Sequence, residues 1–122
     1  MHEMTLTHTR MRLPLKKAYR VRALAMEGLL RDVEHYRIDT GGCVPVHVAF
    51  VVDDQGRAYV GMAHCSKKDQ YRRKLGHEIA IGRAFAALMN GAPPVLEVPN
   101  DVVGVRLRDY LRPTAEVLAL EG

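Results

Sequence analysis

Two β-rich runs joined by a short turn constrain the fold of this chain more than any other feature. The runs cover residues 44–52 and 57–65, and the sequence DDQG between them is typical of a type I turn followed by a glycine with positive φ. A loop of this length places Asp53 opposite Arg57, which gives a cross-strand ion pair and sets the register. The sequence therefore predicts an antiparallel β-hairpin.

The register assigns the hairpin residues to two faces, because successive side chains of a strand point to opposite sides. The first, which we call the valine face, is expected to be the core and holds Val44, Val46, Val48, Phe50, Val52, Ala58, Val60, Met62 and His64. The second, which we call the small-residue face, is expected to be exposed and holds Cys43, His47, Ala49, Val51, Tyr59, Gly61, Ala63 and Cys65.

A long helix is predicted over residues 67–90. Ser66 is a good N-cap, Gly91 has the usual position after the last turn, and the following prolines prevent continuation. Small residues recur along the helix and allow close approach of a sheet or another helix: Gly76, Ala80, Ala84 and Ala87. We expect an α+β fold, with this helix packed on one face of the sheet, across its valine face.

The remaining segments give weaker patterns. Residues 4–12 predict a short edge strand, and residues 14–31 predict a helix, with strands over 19–26 and 33–39 as the alternative. Further on, residues 95–98 predict an edge strand. A helix is favoured over a strand for residues 101–112, and Pro113 is expected to separate it from a final apolar piece, residues 114–120.

Length and composition favour an ordinary globular protein. The 122 residues predict a single domain, 1–122, and no apolar run is long enough to cross a bilayer. The N-terminal sequence lacks the apolar segment of a signal peptide, so a cytoplasmic location is expected, with the two cysteines reduced. We expect no cofactor and no membrane partner.

Basic residues are clustered, although the net charge is only +4. Such clusters attract polyanions or acidic protein surfaces. Lys67 and Lys68 stand next to a predicted helix N-terminus, where free N–H groups favour a phosphate. We take Tyr59 as an aromatic ring on an exposed sheet face that can stack on a base. The basic candidates for partner or nucleic-acid binding are Lys67, Lys68, Arg72, Arg73 and Lys74, with Arg12, Lys16 and Arg20 as a second patch.

Cysteine and histidine residues suggest two further kinds of site. Cys43, His47 and Cys65 share one predicted face, and a zinc site there needs a fourth ligand, for which His77 or His35 is available. Cys65 also precedes a helix N-terminus and two lysines, which lower the pKa of a thiol and favour a nucleophile. Packing of small residues explains the same pattern, so we assign no metal ligand and no catalytic residue.

One segment resembles a known group of proteins. Residues 65–83 read CSKKDQYRRKLGHEIAIGR, which is similar to a C-x-x-x-D, aromatic, basic pair and G-x-x-x-A-x-G-R pattern in small proteins of phages and mobile elements. His77 stands where that pattern has a basic residue. The resemblance implies a phage-type setting, in which small proteins bind host nucleic-acid machinery or defence complexes.

The sequence therefore predicts a non-enzymatic binding protein that inhibits a host nucleic-acid-handling or defence complex by occlusion, as anti-CRISPR proteins do. The expected partner is a host protein or nucleoprotein complex, and a homodimer is possible. The first alternative is a direct, sequence-neutral binder of DNA or RNA. The second is a small cysteine-dependent or metal-dependent enzyme.

Charge reversal at Arg72 and Arg73 tests the basic patch. We expect R72E/R73E to lose a partner that the wild-type protein retains in a pulldown from host lysate, because like charges then repel an acidic surface. Nuclease treatment of the lysate separates a protein partner from bound nucleic acid. Unchanged capture by the double variant would exclude the patch.

Overall fold

The computed structural model describes residues 5–8, 30–39, 45–64 and 73–121, with side chains for 30–39, 45–64 and 76–121. Within these ranges the chain forms a five-stranded antiparallel sheet and two helices, which confirms the α+β class. The elements are β1 (Thr5–His8), β2 (Leu30–Asp39), β3 (Val46–Asp53), β4 (Arg57–His64), α1 (Arg73–Met89), β5 (Leu96–Glu97) and α2 (Val105–Glu121). The strands lie in the sheet in the order of the sequence, β1-β2-β3-β4-β5.

The predicted hairpin is confirmed as β3 and β4. Gly56 has a φ of 80° and donates a backbone hydrogen bond to the carbonyl of Asp53 at 3.1 Å. Asp53 Oδ2 accepts from Nε of Arg57 at 2.9 Å, and its Oδ1 accepts from the backbone N–H groups of Gln55 and Arg57. The Asp53 carboxylate is buried, and these charge-assisted bonds satisfy it.

The C-terminus of α1 has the predicted cap. The N–H of Ala92 donates to the carbonyl of Ala87 at 3.0 Å, and the N–H of Gly91 donates to Leu88 at 3.4 Å. These two bonds and the φ of 70° at Gly91 form a Schellman motif, which ends the helix and satisfies its last carbonyls.

The face on which α1 packs differs from the prediction. Helix α1 lies on the small-residue face, where Ala49, Val51 and Ala63 form one buried cluster with Ala80 and Ala84 of the helix. The physical reason is that small side chains let two backbones approach closely. A Cβ atom added to Gly61 would overlap the backbone of Ala80 and Ala84. The small-residue face is therefore covered, and the expectation that it is exposed was wrong.

Helix α2 covers the valine face instead. One side of the helix contributes Leu107, Leu111, Ala115 and Ala119 to the core cluster of that face. Tyr36 of β2 lies in this cluster, its hydroxyl donates to the carbonyl of Arg108, and burial raises its pKa. The sheet is thus covered by a helix on each side.

Pro113 does not end a helix, contrary to the prediction, because α2 continues through it. Its side chain is exposed, so the Asp109 carbonyl that loses a donor lies on the exposed side of the helix. An interior proline costs about 3 kcal/mol. Full burial of a leucine contributes about 1.5–3 kcal/mol, and Leu107 and Leu111 are both buried on the opposite side, which outweighs this cost.

The weaker patterns have mixed outcomes. The edge strands predicted over 4–12 and 95–98 are confirmed as the shorter β1 and β5. The alternative strand over 33–39 is confirmed within β2, whereas residues 30 and 31, expected in a helix, also belong to that strand. The rest of that predicted helix, 14–29, lies outside the described residues. No described helix is long and apolar enough to cross a membrane.

Gly61→Ala tests the close contact between α1 and β4. The added methyl group meets backbone atoms, which cannot rotate away, so we expect a loss near the upper end of the about 1–3 kcal/mol that overpacking costs. Urea denaturation measures the change. Ala86→Ser adds one atom to the exposed side of the same helix and should shift stability by about 0.5 kcal/mol or less. Equal stability of the two variants would contradict the contact.

Pro113→Ala tests the cost of the proline in α2. Alanine restores the N–H that donates to the Asp109 carbonyl, so we expect the free energy of unfolding to rise by about 1–3 kcal/mol. Thermal and urea denaturation measure it. Val117→Ala, an exposed control in the same helix, should change stability by about 0.5 kcal/mol or less. A destabilised Pro113→Ala protein would show that the proline ring packs favourably.

Candidate metal centre

Three histidines meet between the sheet and α1. His35 comes from β2, His47 from β3 and His77 from α1. In the sheet His35 pairs with Ala49 and His47 pairs with Arg37, so the two histidines are diagonal neighbours on the small-residue face. The register of β2 and β3 therefore places two imidazoles on the face that α1 covers.

The third imidazole is placed by the helical repeat of α1. His77 precedes Ala80, Ile81 and Ala84 at the spacing of one helical face, and these three residues pack on the sheet. The guanidinium of Arg83 donates to the carbonyl of Met62 at 2.6 Å, which ties the same helix to β4. The close approach at Gly61 and this hydrogen bond hold His77 over the sheet.

The three rings are in mutual contact. Nε2 of His35 and Nδ1 of His47 are hydrogen-bonded at 2.9 Å. The ring centroid of His77 lies 3.9 Å from that of His35 and 4.7 Å from that of His47. One ring nitrogen of each histidine lies within 4.8 Å of the others. His35 and His47 are 0% and 1% exposed, and His77 is half-buried.

Burial favours the neutral form of His47 and His77. Burial, with smaller contributions from the charges of His77 and Arg37 and an opposing one from Asp39, lowers the pKa of His47 to about 4. Burial also lowers the pKa of His77, with a smaller effect from Arg37. Neutral imidazole is the form that ligates metals, so burial favours the protonation state that coordination needs.

The geometry fits a tetrahedral ion after small adjustments. Zinc–nitrogen bonds of about 2.0–2.1 Å in a tetrahedron place ligand nitrogens about 3.3 Å apart. The His35 and His47 nitrogens are 2.9 Å apart, which is shorter than this by a few tenths of an ångström. The largest nitrogen–nitrogen distance in the cluster, up to 4.8 Å, is longer. Binding of an ion would therefore require the His35 and His47 nitrogens to move slightly apart and the most distant nitrogen to move closer. An ion would then replace the hydrogen bond between the two rings.

The donor type narrows the choice of metal. All three ligand atoms are imidazole nitrogens, which suit zinc, copper, nickel and cobalt. Calcium and magnesium prefer carboxylate, carbonyl and water oxygens, and the cluster found among the described residues contains no carboxylate. The donor set therefore suits a divalent transition metal better than calcium or magnesium.

The cysteine-containing set predicted from the sequence is only partly described. Cys43 and Cys65 lie outside the described residues, so their part in a site stays a prediction. His47, which the sequence placed on an exposed face, is buried. His64 pairs with Val46 and lies on the opposite face from His47. A Cys65 nucleophile stays a prediction, because Cys65 lies outside the described residues.

The predicted binding residues lie mostly beyond the described part of the chain. Arg73 and Lys74 are in the first turn of α1, and their side chains are not described. Tyr59 is 6% exposed, so it is not the exposed ring that was expected. Its cross-strand partner Val51 lies on the face that α1 covers, and the role of Tyr59 in stacking on a base stays a prediction. Outside the described residues are Lys67, Lys68, Arg72, Arg12, Lys16 and Arg20.

The sequence indicates His35 and His77 only as candidates for a fourth ligand. Their convergence with His47 depends on long-range structure that the sequence pattern does not show. His35 joins His47 only when residues 30–39 are recognised as a strand of the same sheet. His77 joins them only when α1 is placed on the small-residue face.

The sequence matches no protein-family model and no curated protein, and the structure matches no solved structure. The phage-type resemblance therefore stays a prediction. Function has to be inferred from the chemistry of the site.

Proposed function

We propose that this protein binds one divalent transition-metal ion of the zinc class through His35, His47 and His77. The observation that carries the proposal is the convergence of three imidazole nitrogens, from two strands and a helix, within 4.8 Å of one another. Three converging imidazole nitrogens, two of them from fully buried side chains, form a ligand set that metals of the zinc class prefer.

The position of the site gives the ion a structural consequence. Among the described residues, four of the six buried hydrophobic ones that join α1 to the sheet are alanines, Ala49, Ala63, Ala80 and Ala84, and each methyl group contributes only about 0.8 kcal/mol. A ligand present at 100 times its dissociation constant stabilises the folded state by about 2.7 kcal/mol. A bound ion would therefore contribute as much to helix docking as several of these alanines.

Metal content tests the proposal directly. Untagged wild-type protein, incubated with zinc and freed of excess ion, should retain about one equivalent by elemental analysis. It should also unfold at a higher temperature with zinc than after chelation. His47→Gln and His77→Gln should each remove a ligand and lower zinc affinity by at least tenfold, measured by calorimetric titration.

His64→Gln is the matched control, because His64 is an exposed histidine of the same sheet that lies outside the cluster. It should bind zinc as the wild-type protein does. Absence of zinc binding by wild-type protein would overturn the proposal. Equal zinc affinity of His77→Gln and His64→Gln would do the same.

Cobalt substitution identifies the ligand type. Cobalt bound by three imidazoles gives visible d–d bands, whereas a thiolate ligand adds an intense charge-transfer band in the near ultraviolet. We expect the charge-transfer band to be absent. Its presence, and its loss in Cys43→Ser or Cys65→Ser, would replace the three-imidazole assignment with the cysteine-containing set.

The occlusion function expected from the sequence is a separate proposal. Its support is the basic run at residues 67–74 and the phage-type pattern of residues 65–83. The pattern shares only His77 with the histidine cluster. A metal ion that fixes α1 is compatible with occlusion, since the basic run leads directly into that helix. Nucleic-acid binding, a host protein partner and a homodimer all stay predictions.

A further inference from the structure

We infer that the metal ion keeps its fourth coordination position for a small oxyanion, such as phosphate or a carboxylate, which Arg37 binds at the same time. This inference rests on the proposed function. It adds a ligand class and a second binding residue to the three histidines.

Arg37 has the position that this role requires. It lies directly opposite His47 in the register of β2 and β3, so the two side chains leave the same face of neighbouring strands. Side chains in such a pair have Cβ atoms about 4.5–5.5 Å apart. The charge of Arg37 also lowers the pKa values of both His47 and His77, which agrees with a guanidinium close to the cluster.

The guanidinium of Arg37 has a donor that lacks an acceptor. Its Nε atom is buried and, among the described residues, makes no hydrogen bond. The nearest carboxylate oxygen, Oδ1 of Asp39, lies 3.4 Å from Nε, which gives an ion pair without hydrogen-bond geometry. Buried donors are nearly always satisfied, so a donor of this kind beside a ligand cluster indicates a missing acceptor. An oxyanion bound to the ion would supply that acceptor.

The charge of the site also requires an anion. Three neutral imidazoles leave the charge of a divalent ion uncompensated, and Arg37 adds a further positive charge. Asp39 offsets only one charge, and its side chain is 44% exposed. The described ligand cluster contains no carboxylate. An oxyanion lowers the charge of the site and bridges both cations, as guanidinium and metal commonly do together.

Among the described residues at the site, His77 and Arg37 are the more exposed side chains. His35 and His47 are fully buried, whereas His77 is half-buried and the Arg37 side chain is 26% exposed. Three protein ligands leave one position of a tetrahedral ion free. A small anion can therefore reach the ion past His77 and Arg37, while the sheet closes the other side.

Cobalt-loaded protein and inorganic phosphate test the inference. Phosphate should shift the visible d–d bands of the wild-type protein in a saturable titration, because it enters the coordination sphere. Arg37→Gln should retain one equivalent of cobalt and bind phosphate at least tenfold more weakly. Arg37→Lys keeps the charge but lacks Nε, so it should give an intermediate affinity. Acetate in place of phosphate tests whether a carboxylate is also accepted.

Arg112→Gln is the matched control, because Arg112 is an exposed arginine of α2 on the other side of the sheet. It should bind phosphate as the wild-type protein does. Bands unaffected by phosphate, or a phosphate affinity equal in Arg37→Gln and Arg112→Gln, would overturn the inference and leave the metal site intact. Failure of the wild-type protein to bind cobalt would instead overturn the proposed function.

Discussion

The contact between the backbone of α1 and Gly61 of β4 is the constraint on which the rest of the structure depends. A sheet and a helix normally pack about 10 Å apart because side chains fill the space between them. Here a glycine in the strand faces Ala80 and Ala84, and no side chain separates the two backbones. The helix is thereby assigned to the small-residue face, and the larger side chains of the valine face need a different cover.

The histidine cluster follows from the same contact. Imidazole side chains are short, so residues on a helix and on two strands can converge on one point only if the two layers are close. His77 reaches His35 and His47 because alanines and a glycine line the interface beside it. A larger side chain at these positions would separate the third imidazole from the other two. Convergence of the three histidines therefore depends on the packing of small residues between α1 and the sheet.

Local features of the fold could be predicted from the sequence, whereas long-range placement could not. Turn geometry, the Asp53–Arg57 pair and the cap at Gly91 depend on a few neighbouring residues whose chemistry is specific. The face that α1 covers depends on competition between two apolar surfaces. Hydrophobicity favoured the valine face for α1, but the backbone approach at Gly61 determined the outcome. Pro113 shows the same limit, because burial of leucines across the helix outweighs a local rule.

The order of the elements along the chain allows the two sides of the sheet to form at different times during synthesis. During synthesis, β1 to β4 and α1, with all three histidines, are complete once Met89 has been made, whereas β5 and α2 follow later in the sequence. The N-terminal part of a chain emerges from the ribosome before the rest, at about 5–20 residues per second. The side of the sheet that carries the histidines can thus form on the nascent chain before α2 covers Val48 and Phe50 on the other side. The valine face is the surface that a ribosome-bound intermediate would leave open to chaperones or to aggregation.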